Sequence, residues 1–250
     1  MWKILKWIGI TLGGLLALAI AAAFFINEPL PEGRPGPEAD QLAREMLAAV
    51  NKEAWDSTRY VRWSFPGGHH YVWDKFRQRV QVEWGDVRVQ LHTGTQAGRA
   101  WKGGEEQEGA AAEKLLAKAW GFFCNDSFWL NAPAKAFDPG TTRSLVDLAP
   151  GRPGLLVRYS SGGVTPGDAY LWMLDEGGLP LSWKMWVSIL PVGGLEASWE
   201  GWVTLETGAR LATRHRVGIF TVETTDVSGG NRLQDIGLDR DPFRLMDSED

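Results

Sequence analysis

Apolar positions along this chain follow three patterns: an unbroken run, then two long stretches of apolar–polar alternation with a helically spaced segment between them. The unbroken run, residues 8–26, reads IGITLGGLLALAIAAAFFI and carries no charge. At ~1.5 Å per residue, a helix of that length spans about 28 Å, close to the ~30 Å core of a bilayer. Trp2 and Trp7 stand at its start, where amphipathic rings favour the membrane interface. Lys3 and Lys6 precede the run, and Glu28, Glu32 and Arg34 follow it. The positive-inside bias then puts the first residues in the cytoplasm and the rest of the chain on the extracytoplasmic, periplasmic side of the inner membrane. A cleaved signal peptide, releasing the chain to the periplasm, shares the basic start and a small-residue exit at Ala21, Ala22 and Ala23. The run continues past that exit through Phe24, Phe25 and Ile26, which favours an uncleaved single-pass anchor.

Residues 27–38 hold Pro29, Pro31, Pro35 and Pro37, and predict an extended spacer of roughly 35 Å between membrane and domain. A first helix is predicted over 39–50, with Leu42, Met46, Ala49 and Val50 at helical spacing. The period then changes to two. Val61, Trp63 and Phe65 alternate with Tyr60, Arg62 and Ser64; further strands are expected over 69–74, 80–84 and 87–91, with another near 97–102. A helical segment is predicted over 105–120, running into an apolar cluster of Phe122, Phe123, Phe128, Trp129 and Leu130 with loop-like Asn125 and Asp126. Strands resume over 144–148 and 155–159, then in a hairpin over 168–187 and a second over 195–222 turned at Glu206, Thr207 and Gly208. The acidic tail, 231–250, reads as frayed. The fold class is therefore α+β. An antiparallel sheet of roughly nine to eleven strands is too wide to stay flat and curls into a half-barrel. A few helices cover its concave face, and one N-terminal transmembrane helix precedes it.

The stretch from Tyr170 through Trp172, Asp175, Gly177 and Gly178 to Pro180 resembles the strand, Asp-x-x-Gly-x-Pro turn and returning strand of the LolA/LolB-like carriers of bacterial lipoproteins. The order of an N-terminal helix, a first meander, central helices and a long hairpin is similar too, over residues 39–230. The resemblance implies an unclosed barrel, with helices as a lid over an apolar cavity that holds acyl chains.

Composition sharpens the picture in three places. Fourteen Trp are present. Alternation puts Trp63, Trp84, Trp172, Trp183 and Trp199 on apolar faces, with Met185 beside them. These six are the candidate lining of a cavity for a lipid or lipidated partner, and core packing explains them equally well. A net charge of −5 gives no basic face for a nucleic acid. The lone Cys124 excludes an intramolecular disulfide framework and any Cys-rich metal site.

Candidate chemistry is thin. His69, His70 and Asp74 invite a hydrolase or metal reading, with His92 or His215 arriving from other strands. His70 and Asp74 on one strand stand about 13 Å apart, too far for one mononuclear site. No G-x-S-x-G elbow, H-E-x-x-H pair or phosphate-binding glycine loop occurs. The chain therefore reads as a non-enzymatic extracytoplasmic protein, without cofactor or metal, binding an apolar ligand in a half-barrel. An interaction module with a filled core is the alternative, and a hydrolase built on His69, His70 and Asp74 the third reading.

Overall fold

The structure, a computed structural model, describes residues 27–246. The expected membrane segment at 8–26 lies outside the described residues. Among those described, no helix is long and apolar enough to cross a membrane.

Helix α1, Pro37–Ala49, starts on a proline at its first turn and carries Glu38 and Asp40 there, where acidic side chains suit the helix dipole. Its buried face is Ala39, Ala43 and Met46, the i, i+4, i+7 stripe of an amphipathic helix. The short α2, Lys52–Ser57, is capped by Asn51, whose side-chain oxygen accepts from the Ala54 amide. Strands β1 (Tyr60–Phe65), β2 (His69–Asp74), β3 (Arg79–Trp84), β4 (Val87–His92), β5 (Gly98–Lys102) and β6 (Glu105–Gln107) then form a meander. Helix α3, Gly109–Asn131, follows, and beyond it β7 (Thr141–Ala149), β8 (Arg152–Tyr159), β9 (Ala169–Leu174), β10 (Pro180–Trp186) and β11 (Leu195–Ser198) make a second meander. Two ribbons, β12 (Val203–Thr204) with β13 (Arg210–Leu211) and β14 (Arg214–Val217) with β15 (Phe220–Glu223), lead to β16 (Thr225–Gly230).

The expectation of α+β with large open antiparallel sheets stands; the single sheet of nine to eleven strands is corrected. Hydrogen bonding divides the strands into a seven-stranded sheet, β16-β1-β2-β3-β4-β5-β6, and a five-stranded sheet, β11-β10-β9-β8-β7. β16 pairs back onto β1, so the end of the chain completes the edge of its first sheet. The anticipated 195–222 hairpin forms around its expected turn, with Val203 opposite Leu211 and Glu200 bridging Arg214 across Glu206, Thr207 and Gly208. Its second limb is shorter than expected: it ends at Val217, and the chain turns there and comes back as β15 before returning to the first sheet.

Helix α3 also corrects the sequence reading. It begins later than expected, because 105–107 pair as β6, and it runs on to Asn131 through the supposed loop at Asn125 and Asp126. The helix tolerates those polar residues because Asp126 finds donors inside the protein, as described below. Ala119, Phe123 and Leu130 pack into the first sheet's core, while Phe128 and Trp129 pack against the second's. The second sheet is buried on both faces. Tyr170, Trp172, Trp183 and Met185 face α1 and α3, and Leu156, Ala169 and Leu171 form a smaller cluster on the other side.

The Pro-rich stretch does not stand off from the domain as a free spacer. Leu30 packs on the back of the second sheet, Arg34 exchanges backbone hydrogen bonds with Leu145, and Arg158 donates to the Pro31 carbonyl. The tail is not frayed through Met246 either: Ile236 and Phe243 are buried, and Gln90 donates to the Pro242 carbonyl at 2.6 Å. At the turn between β9 and β10, Asp175 accepts from the Gly177 and Leu179 amides. Gly178 there has φ +82°, and a Cβ would meet the Glu45 carbonyl oxygen of α1 at 2.8 Å, so the turn needs glycine to dock against the helix.

Asp74 at the end of β2 is fully buried between two cations: Arg59 Nη2 lies 3.1 Å and Arg77 Nε 2.7 Å from its carboxylate, and Arg77 also reaches Asp241. Burial alone would raise the Asp74 carboxyl, but the hydrogen bonds from Arg59 and Arg77 outweigh it and hold the group below its usual value. A depressed carboxyl contributes stability above its unfolded value near 4 and loses it as pH falls through the lower folded value. Asp74→Ala is expected to cost about 2–3 kcal/mol in denaturant unfolding at neutral pH, with the difference from the parent chain shrinking in acid.

Candidate functional site

The second sheet gathers four of the six residues expected to line a cavity. β9 and β10 pair with Trp172 opposite Trp183, and Ala197 of β11 lies opposite Trp183 on its other side. Alternation along β9 sends Tyr170 and Trp172 to one face, and along β10 Trp183 and Met185 join them. Trp199, just past β11, completes the group. The centroids of Trp172, Trp183 and Trp199 form a triangle with sides of 4.8, 5.0 and 5.0 Å, all tilted or edge-to-face. Tyr170 lies 4.5 Å from Trp183, and α3 adds Phe128 at 5.7 Å and Trp129 at 5.2 Å. These are the distances of rings in contact. The other two candidates belong to the first sheet: Trp63 stacks on Tyr71 at 4.4 Å, and half-buried Trp84 meets Phe122 edge-on at 5.4 Å. The six therefore fall into two separate clusters.

His215 of β14 closes the second cluster. It is fully buried, 4.5 Å from Trp199 and 5.1 Å from Trp129. Its Nδ1 lies 2.9 Å from the Ser198 carbonyl, so a neutral ring donates there and leaves Nε2 as a bare acceptor. Nε2 has no hydrogen-bond partner, and neither do the indole nitrogens of Trp172, Trp183 and Trp199 or the Tyr159 hydroxyl. Burial pushes the His215 imidazole down to about 4.

The residues of the hydrolase reading do not converge. His69 Nδ1 lies 2.7 Å from Asp126 of α3, and its ring stacks on Phe122. Asp126 is buried and also accepts from the Tyr71 hydroxyl at 2.5 Å and from Asn125 at 2.8 Å. Burial, with the Asp126 charge beside it, raises the Tyr71 phenol far above its ordinary value. His70 Nδ1 turns the other way, to Ser64 Oγ at 2.8 Å, while Ser64 donates to Asp226 at 2.8 Å. There serine sits between histidine and carboxylate. In a charge-relay triad the histidine must sit between the other two. Asp74 is engaged by its two arginines. Among the described residues no group of three His, Cys, Asp or Glu side chains is arranged to hold a metal ion.

Two further groups have shifted acidity. Burial pushes the Cys124 thiol up to about 12, which leaves almost no thiolate at neutral pH. Burial pushes the Lys75 amine down to about 8, where it lies 3.9 Å over the Trp55 ring and donates to the Trp55 carbonyl. A small pocket, about 10 Å³ in volume, lies between the clusters and is lined by Val50, Trp55, Leu130, Trp202 and Leu211, with Asn131 and Arg210. That is room for about one water and far below the ~300–1,000 Å³ usual for a site enclosing a drug-sized ligand. The sequence shows Asp126 only as a carboxylate inside an apolar run, a pattern that suggests a loop, and gives no sign of the buried Lys75.

No family model matches the chain, and no curated protein does. Among solved structures it is similar to the crystal structure of a DUF1329 family protein from Desulfovibrio piger ATCC 29098, at 11% identity and a TM-score of 0.40, covering 82% of this chain and 95% of that one.

The neutral His215 generates a test. The unfolded chain takes up a proton near 6.5 that the folded chain refuses until about 4. Stability is therefore full above that unfolded value and declines as pH falls toward the folded one, by roughly 3 kcal/mol at most. Urea unfolding of the parent and of His215→Phe across this window is expected to show a smaller acid loss in the variant. Equal slopes would contradict the assignment.

Proposed function

We propose that the protein is a membrane-anchored, extracytoplasmic interaction module that acts through its surface and catalyses no reaction. The observation that carries this reading is the packing of the second sheet's interior by its own rings. Trp172, Trp183, Met185 and Trp199 are buried against one another and against α3, in the place where the LolA/LolB-like resemblance would put an acyl chain. On this reading the two open sheets are the halves of a half-barrel-like wrap around α3, with the interior filled. The apolar run at 8–26 supplies the anchor. The separate engagements of His69, His70 and Asp74 support a non-catalytic role.

A second reading, carriage of a lipid-like ligand, is favoured by one observation: the unpartnered indole nitrogens of Trp172, Trp183 and Trp199 beside His215 Nε2. Buried polar groups ordinarily have partners, and an oxygen-bearing ligand reaching into the cluster would supply one. Titration of the full chain with a fluorescent fatty acid, read by energy transfer from tryptophan, separates the two. The module predicts only non-saturable partition into the detergent micelle. A saturable one-to-one site, competed by unlabelled fatty acid and lost in Trp183→Ala, would establish carriage instead.

A further inference from the structure

The strand registers bring one end of the second sheet into line. Thr141 pairs with Tyr159, Arg158 with Ala169, Ala169 with Trp186, and Met185 with Leu195. The start of β7, the end of β8, the start of β9, the end of β10 and the start of β11 therefore share one edge of the molecule. β14 joins from the side: Glu200 bridges Arg214 in antiparallel sense, and the Arg216 amide donates to Ser198 Oγ. Its leading end, Val217 and Gly218, thus heads toward the start of β11. Leu190, Leu195 and Val217 all pack against the same aromatic cluster.

Two loops and the tip of the β14–β15 ribbon at this end are unusual in composition. Residues 160–167 read SSGGVTPG, 187–194 read VSILPVGG and 217–222 read VGIFTV, with no charged side chain in any of them. Each holds out a large apolar group: Val164 in the first, Ile189 at 71% exposure in the second, and Ile219 and Phe220 at 93% and 70% in the third. The opposite end exposes Leu148 and Leu181, and the first sheet's turn exposes Phe76.

The chain enters the domain at this same end. The Gly193 amide donates to Asn27 Oδ1 at 2.8 Å and the Glu28 amide to the Gly193 carbonyl at 3.0 Å. Lys184 holds the Glu28 carboxylate at 2.7 Å, and the Trp186 indole donates to the Glu28 carbonyl at 2.8 Å. The residue that follows the apolar run is therefore fastened to loop 187–194. If residues 8–26 lie in a bilayer, no spacer separates that bilayer from these loops.

We infer that the uncharged loops 160–167 and 187–194 and the uncharged tip of the β14–β15 ribbon, 217–222, form a lipid-contacting face, on which the domain lies against the membrane that anchors it. The occupant is the lipid surface. A bilayer interface accepts isolated apolar side chains on an uncharged loop, and the fastening of Asn27 and Glu28 holds the loops at its level. The inference rests on the anchor reading proposed above and adds an orientation to it: the second sheet stands end-on to the membrane, with the β7–β8 turn pointing away.

The experiment uses the full chain in phosphatidylcholine vesicles, with an environment-sensitive fluorophore on Ile189→Cys, Ile219→Cys or Leu148→Cys in a Cys124→Ser background. Flotation reports anchoring. Quenching by a nitroxide on the lipid acyl chain, against quenching by aqueous iodide, reports contact. The labels at 189 and 219 are expected to be quenched by the acyl nitroxide about threefold more strongly than the label at 148, with the reverse order for iodide. A chain that floats while all three labels respond alike to iodide overturns the lipid-contacting face and leaves the anchor intact. A chain that does not float overturns both. Labels at 189 and 219 that are shielded from iodide yet silent to the lipid nitroxide overturn it in favour of a protein partner.

Discussion

One helix has to serve two sheets. α3 puts Ala119, Phe123 and Leu130 into the core of the first sheet and Phe128 and Trp129 into the core of the second. At ~1.5 Å per residue it is about 34 Å long, enough to run past one sheet and reach the next. Neither sheet closes on itself, so each needs an outside element to cover its apolar face. The polar residues within α3 belong to the same constraint. Asp126 is buried where the helix passes β2, and only the donors from His69, Tyr71 and Asn125 make that burial tolerable. That carboxylate fixes the position of α3 on the first sheet, and Phe128 and Trp129, on the next half-turn, follow it into the second. His69 is thus best understood as part of this fastening.

The tryptophans extend the theme. Each indole brings a large apolar surface and one polar N–H. In the second sheet the packing is so close that Trp172, Trp183 and Trp199 leave their N–H groups unpartnered, as does the acceptor of His215 beside them. Ring contact therefore dominates hydrogen bonding between the side chains of this cluster. An interior organised in this way suits a rigid platform whose loops meet other surfaces, which is the sense in which fold and proposed role agree.

Local periodicity made much of this legible. β1 to β4 could be read from Val61, Trp63, Val80, Val82, Val89 and Leu91, and the β9–β10 hairpin from the alternation around Trp172 and Trp183 with its Asp175-to-Gly178 turn. What stayed hidden depends on distance along the chain. β16, TDVSGG, has no apolar alternation and becomes a strand because β1 offers a free edge to it. The division into two sheets is decided by which strands pair, and single-strand patterns do not encode that. The Pro-rich stretch reads as a spacer by composition, yet its carbonyls and Glu28 meet Arg158, Lys184 and Trp186. Of the candidate site, the ring-bearing positions were visible and their interlocking was not: alternation gives the face a side chain takes but not what fills the space before it.

If α3 binds both sheets into one body, the sheets must lose their structure together. Native-state hydrogen exchange of the full chain in increasing denaturant measures this directly, through the slowest amides of β3 and β4 in the first sheet and of β8 and β9 in the second. A shared core predicts that both sets open with the same free energy and the same denaturant dependence. A second sheet that opens at distinctly lower free energy, while β3 and β4 stay protected, would contradict it.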